Sequence, residues 1–547
     1  MTRTLIIGGV AGGMSAATRL RRLDEKAEII VFEQGEHVSY ANCGLPYYLS
    51  ETIDTRDALL LQTPRSLWSR FRIDVRVQHR VVSIDPAASS IQVLKLATGE
   101  TTTERFDNLI ISTGAKPRLP EIDGIERALT LRDVSDADKA MDALANSPKT
   151  AVILGGGFIG VELAENLAHR GVKATIVQRG SQLLGGFDPE MIEPMHQSLE
   201  TNGVSLVFGA QADSIGESTV TLSNGATLEA DIVFVAAGVV PDVWLAREGG
   251  VAVGATGGIK VDDQQRTNFD NIYAVGDAVE KHGMLSGEAT LIPLANLANR
   301  HGRLVADVIA GVATAAKPSV GTAIVGAFGM VAAMTGMSQV AARNAGFDAE
   351  SVHLHPGSHA GYYPGAKRVS LKLTFEKSSG RILGAQGIGE DGVDKRIDVI
   401  ATAMAGGLTV DDLMDLELAY APAYGSAKDA INQAGYVANN VRAGRTSVIH
   451  ANELEQSMHP VIDVRTASEN AAASIPGSVL IPVDELRDRI EQVRDLAAKT
   501  GKVVVHCAVG QRGHTASQIL AGMGVKALNL SGGYTTWALA QAAAARG

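Results

Sequence analysis

The hydrophobic positions fall into short unbroken runs, and the runs end in glycine. Thr4-Leu5-Ile6-Ile7 leads into Gly8-Gly9-Val10-Ala11-Gly12-Gly13, after which apolar positions recur at helical spacing from Met14 to Leu23. A run with no polar alternation predicts a short buried strand, and the 3.6-residue recurrence predicts a helix. A second run, Glu28 to Phe32, ends at Glu33, 20 residues beyond Gly13. Strand, glycine turn, helix, strand and acid in this order make a dinucleotide-binding βαβ unit. The glycines allow the turn and the close backbone approach, the helix N-terminus faces a pyrophosphate, and the acid takes the ribose hydroxyls. Val10 stands where the usual pattern has its second glycine, so the flanking elements and Glu33 carry the assignment.

The pattern repeats from Thr150. Ala151 to Leu154 predict a strand, Gly155-Gly156-Gly157-Phe158-Ile159-Gly160 the turn, and a helix runs through His169 to a strand from Lys173 to Val177. Here all three glycines, Gly155, Gly157 and Gly160, are present. Gln178 replaces the ribose acid and Arg179 follows it, an arrangement able to pair with a 2′-phosphate, so NADH and NADPH both fit. Two dinucleotide units in one chain point to a flavin paired with a nicotinamide. Two further runs end in turns: Leu109-Ile110-Ile111 before Ser112-Thr113-Gly114, and Ile272-Tyr273-Ala274-Val275 before Gly276-Asp277. Asp277 is placed to bond a flavin's ribityl chain or pyrophosphate.

Length and composition narrow the class. A chain of 547 residues is too long for one core and implies three or four domains. Hydrophobic residues at 45% and charged residues at 20% suit a soluble globular protein. A net charge of -11 argues against nucleic-acid binding. No apolar run approaches the roughly 20 residues that span a bilayer, and the N-terminal run is too short for a signal peptide. A cytoplasmic location without membrane attachment is expected, and no metal site is indicated.

Only two cysteines occur, Cys43 and Cys507. Two thiols so far apart are no disulfide framework and fit a reducing compartment. Cys43 lies in Ser39-Tyr40-Ala41-Asn42-Cys43-Gly44-Leu45-Pro46-Tyr47, and Cys507 in His506-Cys507-Ala508-Val509-Gly510-Gln511-Arg512. Residues from about 320 to 440 alternate strands and helices without a nucleotide fingerprint and carry Tyr362, Tyr363, Tyr420 and Tyr424. Val437 to Ser447 reads as a boundary. Beyond it Val461 to Arg465 predict a strand, Ile475-Pro476-Gly477 a turn, and Val503 to His506 a strand entering the Cys507 loop.

Together these motifs resemble the single-cysteine branch of the pyridine nucleotide-disulfide oxidoreductases, most closely coenzyme A-disulfide reductases, followed by a rhodanese domain. The resemblance rests on Gly8 to Gly13, Ser39 to Tyr48, Gly155 to Gly160, Gly361-Tyr362-Tyr363-Pro364-Gly365 and Ala419-Tyr420-Ala421-Pro422. It implies an α/β architecture of two Rossmann-like domains for FAD and NAD(P), an α+β dimerisation domain and a C-terminal α/β rhodanese domain. The expected boundaries are 1–149 and 259–318 for the two parts of the FAD domain, 150–258 for the NAD(P)H domain, 319–440 for dimerisation, 441–450 for a linker and 451–547 for the rhodanese domain. The implied assembly is a homodimer.

The implied activity is NAD(P)H-dependent reduction of coenzyme A persulfide, polysulfide or coenzyme A disulfide, with FAD bound and coenzyme A as substrate or tight ligand. Cys43 forms the mixed disulfide or persulfide, and Cys507 brings sulfane sulfur to coenzyme A or directly to Cys43. Tyr362 and Tyr420 match the family's catalytic tyrosines, with Tyr363 and Tyr424 as neighbouring alternatives, and Arg512 holds anionic sulfur in the rhodanese loop. Cofactor contacts are expected at Gly8, Ala11, Gly12, Gly13, Glu33, Val81, Thr113, Gly114, Arg132, Gly155, Gly157, Phe158, Ile159, Gly160, Gln178, Arg179, Gly238, Gly276, Asp277 and Ala295. Substrate contacts are expected at Ser15, Arg19, Arg22, Ser39, Asn42, Arg72, Asn299 and Lys428. Ser15, Arg19 and Arg22 share one helix face by their spacing.

A thiolate is the reactive form of cysteine and a free thiol ionises near about 8.5, so a helix starting near Gly44 and an adjacent oxidised flavin are expected to lower the Cys43 pKa. Only four residues separate Cys507 from Arg512; phosphatase loops place the arginine one residue further on, so the loop favours sulfur. The rhodanese turn, usually Gly-His-Ile-Pro-Gly-Ala, reads Ala473-Ser474-Ile475-Pro476-Gly477-Ser478 and lacks its histidine. Two other readings remain: an NADH oxidase or peroxidase with a Cys43 sulfenic acid, and a flavin-bearing sulfur carrier or redox sensor.

Overall fold

The unbroken apolar runs become strands buried on both faces. In the strand Arg3–Ile7, Leu5 and Ile7 enter one hydrophobic core and Ile6 enters another. The strand Glu28–Phe32 divides in the same way, with Ile30 and Phe32 on one side and Ile29 and Val31 on the other. Successive side chains point to opposite faces of a strand, so an apolar residue at every position requires cover on both. Each such side chain contributes about 1.5–3 kcal/mol of burial.

The structure, a computed structural model, describes residues 2–546. The chain forms two compact units, one running to Val177 and resuming over Gln211–Ser319, the other comprising Gln178–Ala210 and the chain from Val320 onward. The first unit holds a five-stranded parallel sheet in the order Ile272–Ala274, Asn108–Ile111, Arg3–Ile7, Glu28–Phe32, Asp74–Arg76. Arg3–Ile7 lies between neighbours that connect in opposite directions, the topological switch point at which open α/β sheets bind ligands. The helix Ala11–Leu23 packs on one face together with the helix Ala295–Ile309. In the second βαβ unit, Thr150–Leu154 pairs in parallel with both Lys173–Gln178 and Ile232–Val235.

The second unit contains two different sheets. One is antiparallel, in the order Ala323–Ala327, Met330–Gly336, Ile382–Gly389, Val369–Glu376, Ala349–Leu354, with the helices Val393–Ala405 and Ala430–Arg442. The other is parallel, in the order Ser447–Ile449, Ala527–Leu530, Val503–His506, Val461–Asp463, Val479–Leu480. The overall class is α/β with an antiparallel element, as the sequence implied. The boundary segment differs: residues 441–450, expected as a linker, contain the end of Ala430–Arg442 and the strand Ser447–Ile449. Ser447 to Ile449 pair with Leu528 to Leu530, so this edge strand belongs to the parallel sheet.

Candidate functional site

Cys43 sits in a single 3₁₀ turn, Asn42–Gly44, followed by the five-residue helix Leu45–Leu49. Pro46 lies in the first turn of that helix, where its fixed φ is an advantage. A Cβ on Gly44 would stand 2.9 Å from Leu59 and 3.0 Å from Ile53, so the turn packs flat against them. Ser39 adopts a left-handed conformation, and its N–H donates to Gly9 O at 2.8 Å. The cysteine loop is thereby tied to the glycine turn of the first βαβ unit. The Cys43 thiol is exposed and points at Asn42 Oδ1, 3.8 Å away.

The predicted lowering of the thiol pKa is not supplied by these groups. Desolvation holds the Cys43 thiol above its ordinary value, the Glu162 and Asp277 carboxylates push the same way, and only Arg132 opposes them. The helix after Gly44 is too short to offset this, and Cys43 lies in the turn before it. Glu162, on the helix Phe158–His169, is itself raised to about 7 by burial and by Glu165. Burial and the same two glutamates push Tyr47 up to about 12.

A cavity of about 880 Å³ opens beside the first glycine turn, lined by Gly8, Glu33, Val81, Thr113, Gly114 and Arg132 among others. The fit to a dinucleotide can be tested on its walls. Gly8 has φ +100°, and a Cβ there would lie 2.2 Å from Ser112 O. A Cβ on Gly13 would lie 2.0 Å from Gly8 O, so helix and strand meet at backbone contact. Gly12 packs less tightly, a Cβ there lying 3.0 Å from Ser112 Oγ. The helix Ala11–Leu23 has no side-chain cap at Val10 and no acid in its first turn. Its leading N–H groups remain for an anion. Glu33 accepts from the N–H groups of Gly9 and Gly35, both at 2.8 Å, and burial raises its pKa. The residues therefore fit the flavin nucleotide expected from the motif.

The turn carrying Asp277 is held by a group that the motifs do not reveal. Lys281 is buried, and its Nζ donates to Gly276 O at 2.5 Å and Val279 O at 2.7 Å. These bonds pin the 3₁₀ turn Gly276–Ala278 that carries Asp277, whose Oδ2 accepts from Arg132 at 3.2 Å. Burial lowers the Lys281 pKa to about 8. Ala295 opens the helix Ala295–Ile309, which has no side-chain cap.

The second glycine turn has the same backbone economy. A Cβ on Gly155 would stand 2.4 Å from Ala236 O, and one on Gly160 would stand 2.0 Å from Gly155 O. Gly157 and Gly238 face open space, Phe158 is exposed, and Ile159 is half-buried. Gln178 and Arg179 belong to the second unit, where Arg179 is exposed.

The expected substrate residues are partly brought together. Ser15 Oγ donates to Asn299 Oδ1 at 2.5 Å. The Arg22 guanidinium lies 5.3 Å from the Phe71 ring and that of Arg72 lies 5.5 Å from Trp68, both rings on the helix Pro64–Phe71. Arg19 differs from expectation: its guanidinium is paired with Asp307 at 2.7 Å, so its charge is already shared. Asn42 lies beside Cys43. In the second unit Lys428 is exposed just before the helix Ala430–Arg442. The Tyr362 and Tyr420 hydroxyls are 2.9 Å apart, with the two residues 76% and 48% exposed. Tyr363 instead packs edge-on against His359, and Tyr424 stands apart at the surface.

Cys507 is built oppositely to Cys43. It is 1% exposed, at the end of the strand Val503–His506 and before the helix Gln511–Gly522. Gly510, with φ +94°, turns its N–H onto the sulfur at 3.2 Å. Tyr534 N–H donates to Cys507 O and Thr535 N–H to Ala508 O. Gly533 leaves room for this, since a Cβ there would lie 2.4 Å from Cys507 O. Behind the loop, Asp463 and Arg465 form a buried pair at 2.7 Å, and Asn470 also donates to Asp463. Arg465 donates to Ala473 O at 2.6 Å and lies 4.5 Å from the Tyr534 ring, which holds the turn lacking its histidine. Arg512 makes two hydrogen bonds to Glu469, at 2.6 and 2.8 Å, a partner that sequence spacing did not reveal.

Among the described residues, no helix is long and apolar enough to cross a membrane and no cluster of three metal-ligating side chains occurs. The sequence matches the pyridine nucleotide-disulphide oxidoreductase family over residues 2–302, its dimerisation domain over 322–431 and the rhodanese-like domain over 449–540. It is 34% identical over 441 residues to the coenzyme A disulfide reductase of Staphylococcus epidermidis, covering 80% of this chain and all of that protein. The fold is similar to that of reduced Bacillus anthracis CoADR-RHD, with TM-score 0.96, 42% identity and 98% of each chain covered. It is also similar to an NAD-dependent persulfide reductase from A. fulgidus, with TM-score 0.92 and 34% identity over 98% of this chain and 100% of the other.

Proposed function

The chain belongs to the pyridine nucleotide-disulphide oxidoreductases, and from that premise we propose that it uses NADH or NADPH, with FAD, to reduce coenzyme A persulfide, polysulfide or coenzyme A disulfide at Cys43. The observation that carries this is the exposed Cys43 thiol, held by the Ser39–Gly9 hydrogen bond against the glycine turn of a dinucleotide cavity. Gly8, the N-terminus of Ala11–Leu23, Glu33 and the Arg132–Asp277 pair would hold the flavin. A flavin bound there would supply the route for electrons from the nicotinamide to sulfur at Cys43.

Cys43 in its thiolate form attacks a sulfur of the persulfide or disulfide, one S–S bond forms as another breaks, and hydrosulfide or coenzyme A thiolate leaves. The raised pKa of Glu162 makes it a proton acceptor near neutrality on the Cys43 side. The hydrogen-bonded Tyr362–Tyr420 pair, contributed across a homodimer, donates a proton to the leaving sulfur. Ser15, Arg22, Asn42, Arg72, Asn299 and Lys428 would hold coenzyme A, with Arg19 offering only the N–H groups that Asp307 leaves. Cys507 supplies sulfane sulfur, and a reducing cytoplasmic setting suits both free thiols. The test is NAD(P)H oxidation with coenzyme A persulfide, with product analysis. Hydrosulfide and free coenzyme A are expected; water or peroxide as the product of the reducing equivalents would replace this reading with an oxidase.

A further inference from the structure

The rhodanese loop carries a cation whose charge is shared: Arg512 interacts with the Cys507 sulfur and with Glu469. Arg512 is held by both carboxylate oxygens of Glu469, at 2.6 and 2.8 Å. Glu469 is not a passing surface charge. It accepts from Thr466 N–H at 3.0 Å and Thr466 Oγ1 at 2.9 Å, closing the capping box of the helix Ala467–Ala472. Arg512 holds its carboxyl down at about 2, so it is ionised under all ordinary conditions. The other basic group behind the loop, Arg465, is neutralised by Asp463 in a buried pair. Burial lowers the pKa of His506 to about 4, and it also lowers that of His514, so neither imidazole brings charge at neutral pH. With Cys507 ionised, sulfur, Arg512 and Glu469 together carry one net negative charge.

We propose that Glu469 sets the donor specificity of Cys507, favouring organic persulfides with at most one negative charge at the reacting sulfurs and discriminating against dianionic thiosulfate. The inference rests on the reading of Cys507 as the sulfur-delivery thiol. In the step itself the Cys507 thiolate attacks the outer sulfur of R–S–S⁻. A Cys507 S–S bond forms, the donor S–S bond breaks and R–S⁻ departs with the electron pair. The sulfane sulfur keeps its oxidation level, so no oxidant or reductant enters. Thiosulfate would have to bring two charges to the same loop and release the sulfite dianion. Loop amides, the Gly510 N–H and Arg512 can stabilise one anionic sulfur, while for a second charge the Arg512 cation is already balanced by the Glu469 carboxylate.

The test uses the full-length, FAD-loaded protein carrying Cys43→Ser, in which Cys507 is the only remaining cysteine. Persulfidation of Cys507 is followed by intact mass, with glutathione persulfide or thiosulfate as donor and no NAD(P)H present. Glutathione persulfide is expected to react at least tenfold faster. Glu469→Gln, which keeps an oxygen for Thr466, is expected to raise the thiosulfate rate about tenfold while changing the persulfide rate less than about twofold. Glu469→Asp, which keeps the charge, is expected to retain the discrimination. Equal use of both donors by the Glu469 protein, or unchanged discrimination in Glu469→Gln, overturns the proposal. A measurement without a Glu469 variant stands beside these: added salt should speed the thiosulfate reaction by screening repulsion, and a rate that falls with salt overturns it. If no donor persulfidates Cys507 at all, the delivery reading fails and this inference with it, whereas lost discrimination alone leaves delivery standing.

Discussion

The two cysteines are built in opposite ways. Cys43 is exposed, hydrogen-bonded only weakly to Asn42, and held above its ordinary pKa chiefly by desolvation. Cys507 is buried in a loop whose backbone already points at the sulfur. In the proposed roles the difference makes sense: a thiol that is to meet a cofactor and a large substrate needs an open site, which leaves its activation to what binds there, whereas a thiol that is to carry one sulfur atom can be enclosed, with its loop supplying the stabilisation permanently. Placement of charge follows the same division. Near Cys43 the carboxylates of Glu162 and Asp277 are opposed by Arg132, whereas at Cys507 the Arg512 charge is matched by Glu469.

The comparison breaks most sharply at the sulfurs themselves. Cys43→Ser is expected to lower NAD(P)H-dependent reduction of coenzyme A persulfide by more than ~10³-fold, while Cys507→Ala changes it less than about twofold on this small substrate. Steady-state kinetics on both variants decide it, and full activity in Cys43→Ser would remove the central assignment. Next in size is Asp463→Ala, which strands a buried Arg465. It should destabilise the parallel-sheet domain by about 3–5 kcal/mol yet leave FAD bound, as seen by denaturant unfolding beside flavin absorbance.

Acid should separate the two units as well. Burial lowers His353 to about 4, His355 to about 3 and His506 to about 4 in the second unit, against His301 at about 4 in the first. An unfolded histidine titrates near about 6.5. Between that value and the folded one the unfolded chain binds more protons. The stability contribution is therefore whole above about pH 6.5 and is lost as pH falls toward 4, by roughly 3 kcal/mol for each histidine. Melting of the second unit, followed by hydrogen exchange between pH 7 and 4.5, should fall further than that of the first. The smallest expected effect is at Lys281. Lys281→Met frees the turn carrying Asp277 and should weaken FAD binding about tenfold, in line with the loss of charged hydrogen bonds worth about 1.5–3 kcal/mol; unchanged FAD affinity in titrations of the apoprotein would remove Lys281 from the site.

Much of this was legible in order along the chain. The two glycine turns, the acid at Glu33, the two cysteine loops and the strands around them depend on local requirements, because a positive φ or a backbone contact at 2 Å excludes a side chain wherever the rest of the protein lies. The strands of the antiparallel sheet were less legible. Ala349–Leu354, Val369–Glu376 and Ile382–Gly389 are buried almost throughout although they carry Glu350, His353, Lys372 and Gln386. Polar residues at such positions read as solvent-facing. In the fold they are met by groups remote in sequence: His353 by Ser531 and Glu190, Lys372 by Asp188 and Glu190, Gln386 by Asp188, and Glu350 by His450. The same distance hid the strand Ser447–Ile449, whose three residues make sense only beside Ala527–Leu530.

By itself the sequence determined which backbone could turn where, which thiols exist and which helices begin directly after a glycine turn, since these follow from the stereochemistry of neighbouring residues. Only the tertiary structure decided what each charge is worth. Arg19 and Arg512 look alike in a sequence, as cations shortly after a glycine turn, but Asp307 meets one and Glu469 the other from positions far along the chain. Likewise Glu162 and Lys281 acquire unusual pKa values chiefly by being enclosed. Desolvation and Coulomb energy depend on distance in space, and spacing along a chain does not encode that distance once the chain has folded back on itself.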